Sequence, residues 1–326
     1  MLTTTPARRR SAALGLVGAA LLLAPACAGP GTDSGDAAPT RTVDTVMGEV
    51  AVPEPEDIDS VVVLEGRRDT DVVLALDLPL VGYPSRDPAD GYELRGPLAD
   101  GLEAADAQGA QPLFLVDEIN LEAIAQVAPD LIVSRSTELE PIMAELQAIA
   151  PVVPIGNQDE TTWQADLLTV GAATGRTAEA EALIAEYDAR VQEIRTRYAE
   201  QIATTSVVPF EYDDEGTDVG GGRLESMVLQ DVGALPSEAF AQALDSGETV
   251  EFSFEQTRTA YDDADAILVF VTSAQMWASM GQDALWTSLP AVEQGQVVRG
   301  DRLTHDGGPL TALHVLDQVE QLYASV

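Results

Sequence analysis

Short apolar runs alternate along this chain with segments whose apolar residues recur at spacings of three and four. Residues 61–65 (VVVLE), 79–82, 130–134 (DLIVS), 151–155, 204–210, 265–271 (DAILVFV) and 296–299 read as strands, most of them buried on both faces. Helical patterns lie between them. Residues 72–77 form a helical fragment. Asn120 caps a helix over 121–127 that Pro129 stops. Residues 139–149 place Leu139, Ile142, Met143, Leu146 and Ile149 on one side. Gly233 closes a helix over 224–232, Ser253 caps one from Phe254 to about Tyr261, and 309–323 reads as a terminal helix. Two stretches lack periodicity: 84–101, dense in Pro, Gly and Asp, and the acidic, Gly-rich 213–222. Strands alternating with helices at this spacing predict α/β units around largely parallel sheets.

One pattern is much longer. From Thr177, read as the cap, Leu183, Ile184, Tyr187, Val191, Ile194 and Tyr198 keep helical spacing to about Gln201. Its place in the middle of the chain predicts a rigid strut between two lobes. A repeat supports this. INLEAIAQVAPDLIVSRS from Ile119 and FSFEQTRTAYDDADAILVFVTS from Phe252 each run from a small polar cap through an apolar residue and a Glu into one short helix. Each then continues into an Asp and a hydrophobic strand. Glu122 and Glu255 therefore occupy corresponding first turns, one in each half. A carboxylate there gains about 0.3–1 kcal/mol from the helix dipole whatever else it does. The fold class expected is α/β and bilobed: two Rossmann-like lobes, at 46–160 and 204–326, joined by a connecting helix region at 161–203.

The N-terminus is read differently. Arg8, Arg9 and Arg10 precede an apolar stretch over 11–24 that is too short to span a bilayer and suits a cleaved signal peptide, 1–26. Ala24-Pro25-Ala26-Cys27 resembles a bacterial lipobox, with Ala24 where such boxes usually carry Leu; an ordinary A-x-A cleavage site is the other reading. Cys27 is the only cysteine, which rules out an intramolecular disulfide, and the polar, Gly/Pro-rich residues after it read as a tether. A lipidated Cys27 with a flexible tether over 27–45 is expected to anchor the chain to the outer face of the cytoplasmic membrane. Charge narrows the partners. Asp and Glu number 55 against 17 Lys and Arg, all of the latter Arg, for a net charge of -38. Nucleic acid and a polybasic hold on anionic lipid are excluded on that balance. Two histidines and one cysteine are a poor supply for a zinc or copper site.

Five segments in order give the chain a resemblance: GEVAVPEPEDIDSVVVLEG, NLEAIAQVAPDLIV, IAPVVPI, ALWTSLPAVEQGQVV and GGPLTALHVLDQV. Together they resemble the substrate-binding proteins of iron-siderophore and cobalamin ABC importers, whose two lobes are joined by one long helix. The resemblance covers nearly all of the chain beyond the leader. It implies a monomer, without enzymatic activity or cofactor of its own, that captures a ferric siderophore between its lobes and delivers it to a membrane permease. Iron would enter only as part of the bound chelate. The resemblance also implies that Glu122 and Glu255 each dock onto an Arg of that permease. Cobalamin, haem or a bare metal ion on the same fold is the alternative cargo. An exported hydrolase is the remote one, since G-x-S-x-G, HExxH and a Cys–His pair are all missing.

In open α/β sheets ligands sit beyond the carboxyl ends of the strands. Arg67, Arg68, Tyr83, Arg86, Arg135, Ser136 and Trp163 follow strands of the first half. Tyr212, Thr272, Trp277, Arg302 and His305 follow strands of the second. Guanidinium forks suit carboxylate or catecholate oxygens and aromatic faces suit a bulky chelate, which favours an anionic chelate of citrate or catecholate type. The overall acidity favours a neutral or cationic hydroxamate, but local charge outweighs distant, salt-screened charge, so the anionic cargo is expected. Trp286 falls in the segment resembling the family's structural turn. Leu303-Thr304-His305 departs from the family, which often has Trp before the GGP segment.

Overall fold

The computed structural model describes residues 40–88, 91–92, 96–116, 118–135, 139–157 and 160–326. The signal peptide, Cys27, most of the expected tether and Ser136 lie outside the described residues.

Two mixed α/β lobes are built on separate sheets. The N-terminal part opens with a hairpin, β1 (Thr40–Thr45) and β2 (Gly48–Pro53). It continues through β3 (Val61–Val63), α1 (Arg68–Ala75), β4 (Leu80–Ser85), α2 (Pro97–Ala107), β5 (Gln111–Leu115), α3 (Leu121–Val127), β6 (Leu131–Arg135), α4 (Met143–Gln147), β7 (Val152–Ile155) and α5 (Trp163–Thr174). Its sheet runs β5-β4-β3-β6-β7 with every pair parallel. Every residue of β3 and β7 is buried, as helices on both faces require. The connection is α6 (Thr177–Arg197), extended beyond a break at Tyr198 by α7 (Ala199–Thr204). The C-terminal part holds β8 (Ser206–Tyr212), β9 (Thr217–Gly220), α8 (Leu224–Val232), β10 (Leu235–Pro236), α9 (Glu238–Ser246), β11 (Thr249–Phe252), α10 (Thr257–Tyr261), β12 (Ala266–Val271), α11 (Ala274–Met280), α12 (Ala284–Thr287), α13 (Pro290–Glu293), β13 (Val297–Asp301) and α14 (Pro309–Ala324). Its sheet runs β11-β9-β8-β12-β13, with β10 beside β8. The β8, β12 and β13 strands are parallel; β9 and β11 are antiparallel.

α6 buries Ala180, Tyr187, Val191 and Ile194 and serves both lobes through one residue. The Tyr187 ring meets Trp163 of α5 edge-on, with centroids 5.1 Å apart, and its hydroxyl donates to Asp231 of α8 at 2.7 Å. A second bond between lobes lies at the start of α14. The Asp71 carboxylate, fully buried on α1, accepts from the backbone N–H of Leu310 at 3.0 Å and of Thr311 at 2.9 Å, and from the Thr311 hydroxyl.

Three boundaries differ from the sequence reading. The tether stops short of Thr45: β1 pairs along its length with β2, and the Arg41 guanidinium donates to the carbonyls of Ala172 and Ala173. Those carbonyls end α5 and lack partners within the helix, so a cation there answers both their hydrogen-bonding need and the helix dipole. The strut begins at Thr177, because α5 belongs to the N-terminal core through Trp163, Leu167, Val170 and Ala173. The presumed loop at 84–101 contains the start of α2, opened by Pro97 at its first turn. Gly101 lets α2 close on α1: a Cβ there would meet Leu74 Cδ1 at 2.8 Å.

Candidate functional site

The segment between β3 and α1 is shaped by one buried carboxylate. Asp69 accepts backbone N–H groups from Leu64, Glu65, Gly66 and Arg67 at 2.9, 2.7, 2.9 and 3.2 Å. Burial, followed by the nearby Glu65 charge, pushes its carboxyl up to about 6 despite those donors. The turn so held sends Arg67 and Arg68, adjacent in sequence, to different places.

Arg68 goes inward and is fully buried. Its guanidinium holds Asp166 of α5 at 2.7 Å, the Thr161 carbonyl at 3.2 Å and Asp306, beyond β13, at 3.2 Å. Arg68 is thus a structural tie among three elements and has no face for a ligand. Two further candidates are corrected in the same way. Tyr83 is buried and donates its hydroxyl to Asp106 of α2 at 2.7 Å. Trp163 is 1% exposed and packs on Tyr187.

Arg67 goes outward, and its Nη1 lies 2.7 Å from Nε2 of His305, on the 3-10 turn Arg302–His305 that follows β13. His305 Nδ1 lies against the Arg302 carbonyl and 3.3 Å from Glu211 Oε1. Since a carbonyl only accepts, this network assigns the ring proton to Nδ1 and leaves Nε2 to accept from Arg67. The imidazole is neutral: burial, with the Arg67 charge alongside, pulls its pKa down to about 3. Arg135, the last residue of β6, reaches Glu65 at 3.2 Å and also pairs with Asp306. Arg302 Nε donates to Glu211 Oε2 at 2.7 Å, and its Nη1 lies 3.4 Å from Asp213. Glu211 is buried near the end of β8, with Arg223 Nη1 3.5 Å away. Burial outweighs the Arg223 and Arg302 charges and pushes Glu211 up to about 7. Behind it on α8, buried Glu225 is pushed up to about 8 by the same cause.

Arg67 and Arg135 from one lobe therefore meet Arg302 and His305 from the other, at the carboxyl ends of β3, β6 and β13. The remaining candidates have other immediate partners. Arg86 lies over the Tyr92 ring at 5.3 Å. Tyr212 tilts against Phe254 at 5.3 Å. Trp277, half-buried, sits 6.3 Å from Trp286, with the Arg299 guanidinium 5.9 Å from its ring. Glu122 and Glu255 are both exposed, each in the first turn after its cap. Asn120 accepts from Ala123 N at 3.1 Å, and Ser253 N donates to Gln256 at 2.9 Å.

The sequence reading missed the carboxylates: Glu65, Glu211 and Asp306 pair with every arginine of the cluster. Their signal was position. Glu65 and Glu211 sit where buried strands VVVL and VVPF give out, and a charge there points out of the sheet end.

A family model described as "Periplasmic binding protein" matches residues 73–303. The chain belongs to this family, whose members are binding components of transport and not enzymes. Among curated relatives, the probable siderophore-binding lipoprotein YfiY of Bacillus subtilis is 28% identical over 296 residues, 87% of this chain and 88% of that protein. Among solved structures, the siderophore periplasmic binding protein from the fuscachelin gene cluster of Thermobifida fusca is 28% identical. It superposes with a TM-score of 0.68 over 82% of this chain and 98% of its own. The iron-uptake system-binding protein FeuA of Bacillus subtilis, 16% identical, superposes with a TM-score of 0.71 over 87% of this chain and all of its own, which shows the bilobed fold.

Proposed function

We propose that this protein is the substrate-binding lipoprotein of an ABC importer and that it captures a ferric siderophore between its lobes. The observation that carries this reading is the cluster in which Arg67 and Arg135 face Arg302 and His305. Guanidinium groups donate hydrogen bonds and cannot ligate a metal, so the cluster suits the oxygens of a chelator that brings its own iron. The names of the curated relative and of the Thermobifida fusca structure support the same cargo class. Trp277 and Tyr212, both half-buried, offer aromatic surface for the body of the chelate. Cys27 carries the lipid, and the chain works as a monomer.

Glu122 and Glu255 are the docking points for the permease. An exposed carboxylate on each lobe, paired with an Arg on the transporter, reads the separation between lobes and favours the loaded form. Charge reversal at both positions abolishes uptake and leaves binding intact.

The direct experiment is a tryptophan fluorescence titration of the protein with ferric siderophores, their iron-free chelators, haem and cobalamin. Saturable quenching at sub-micromolar concentration by a ferric chelate, and not by its iron-free form, supports the reading. Preferential binding of cobalamin, haem or free ferric ion refutes it.

A further inference from the structure

The arginines of the cleft are not free positive charges. Arg67 Nε lies 3.8 Å from Glu65, and Arg135 lies 3.2 Å from the same carboxylate while also pairing with Asp306. Arg302 is held at 2.7 Å by Glu211 and at 3.4 Å by Asp213. The histidine between them is neutral, because it donates to a carbonyl and accepts from Arg67. Counting Arg68 on Asp306 and Arg223 on Glu211 as well, five guanidiniums among the described residues meet six carboxylates: Glu65, Asp166, Glu211, Asp213, Asp218 and Asp306.

An anionic cargo would have to take guanidinium donors away from these carboxylates. Glu211 and Asp306 are buried, with 1% and 2% of their surface exposed. Asp306 would then keep only the Arg68 guanidinium at 3.2 Å and Glu211 only that of Arg223 at 3.5 Å, and water cannot reach either buried carboxylate to replace the hydrogen bond taken away. A neutral chelate can instead accept from guanidinium N–H groups not directed at a carboxylate. A cationic arm on the chelate can approach Glu65 or Asp213, which are only part-buried. The wider charge of the protein acts in the same direction, though salt screens its distant parts.

Resting on the siderophore reading above, we propose that the cleft selects ferric chelates of zero or positive net charge, the class to which hydroxamate complexes belong, over triply negative tris-catecholate complexes. This reverses the anionic cargo expected from the sequence, because the pairing state of the arginines outweighs their number.

The test is equilibrium binding to the full-length protein in detergent. The ferric complexes compared are a cyclic trihydroxamate (neutral), a linear trihydroxamate with a terminal ammonium (singly positive) and a tris-catecholate (triply negative). Both hydroxamate complexes are expected to bind about tenfold to hundredfold more tightly than the tris-catecholate, the penalty for taking one charge-assisted hydrogen bond from a buried carboxylate. Glu65→Gln releases Arg67 and Arg135, and Asp213→Asn acts on the opposite wall at a part-buried site. Each is expected to narrow that gap, and added salt is expected not to weaken the tris-catecholate arm. Tris-catecholate binding as tight as that of the hydroxamates, or a gap unchanged in both variants, overturns the charge selection and leaves siderophore capture standing. Silence from every ferric complex, in protein shown to be folded, overturns siderophore capture itself.

Discussion

Replacing Arg68 by methionine keeps an unbranched apolar stem and removes a guanidinium with no exposed surface. Two carboxylates lose a partner: Asp166, 1% exposed, and Asp306, 2% exposed. Breaking a buried ion pair from one side costs about 3–5 kcal/mol, because a charge stays behind out of water. The structure places this case near the low end. Asp166 keeps the Gly156 N–H at 2.9 Å and the Thr161 hydroxyl at 3.0 Å, and Asp306 keeps Arg135. We expect a loss of about 3 kcal/mol, a large part of the 5–15 kcal/mol typical of a folded domain. The assay is urea unfolding followed by circular dichroism, with Asp166→Asn and the double variant completing a cycle. The double variant should lose clearly less than the sum of the two single changes. A loss below about 1 kcal/mol for Arg68→Met, with a selective drop in ligand affinity, would refute the structural role and return Arg68 to the ligand site.

Further outcomes follow from other parts of the molecule. Trp163→Phe should lower stability while preserving ligand-induced quenching, whereas Trp277→Phe should remove most of the quenching; fluorescence titration of the two variants separates the roles. A chain that starts at Thr40 should be more stable than one that starts at Val46, by about 1–3 kcal/mol for the Arg41 contacts alone, measurable by thermal unfolding. Glu225 is held near about 8 in the folded protein against an ordinary 4.5, so the native state keeps a proton that the unfolded chain gives up. Its contribution is present below about pH 4.5 and is lost as pH rises through 8, so Glu225→Gln should gain about 3 kcal/mol over the parent between pH 5 and pH 9 in denaturant titrations. His305 works the other way. Its pKa falls from 6.5 to about 3, so its contribution is lost as pH drops below 6.5, and His305→Gln should resist acid better than the parent over that range.

Elements with strong local signals were legible in the chain. α3 begins after Asn120 and α8 ends before Gly233, as their caps dictate, and α6 follows the spacing of Tyr187, Val191 and Ile194. Elements without a one-sided pattern were not. α2 is rich in Ala, Asp and Gly, and α5 buries residues around much of its circumference, from Trp163 and Asp166 to Gly171 and Thr174, so neither shows a clear stripe. β11 is an edge strand with no apolar run, and the apolar run of β5, also an edge strand, opens on Pro112, which reads against a strand. The site was half legible for a related reason. Arginines are scarce, so those after strand ends stood out, but nothing in the sequence distinguishes Arg67 from Arg68. Which of the two faces the cleft depends on the turn that Asp69 organises. Of the carboxylates that neutralise the cluster, Glu65 and Glu211 were marked by their place at strand ends, whereas Asp213 and Asp306 were hidden among 55 acidic residues and only tertiary pairing singles them out.

A crystal structure of the protein grown with a bound ferric siderophore, with iron located by its anomalous scattering, tests the account most directly. The prediction is iron held wholly by chelator oxygens, with the chelate lying between Arg67 and Arg135 on one side and Arg302 and His305 on the other. Iron ligated by the protein's own side chains, or a chelate seated outside the space between the lobes, would contradict it.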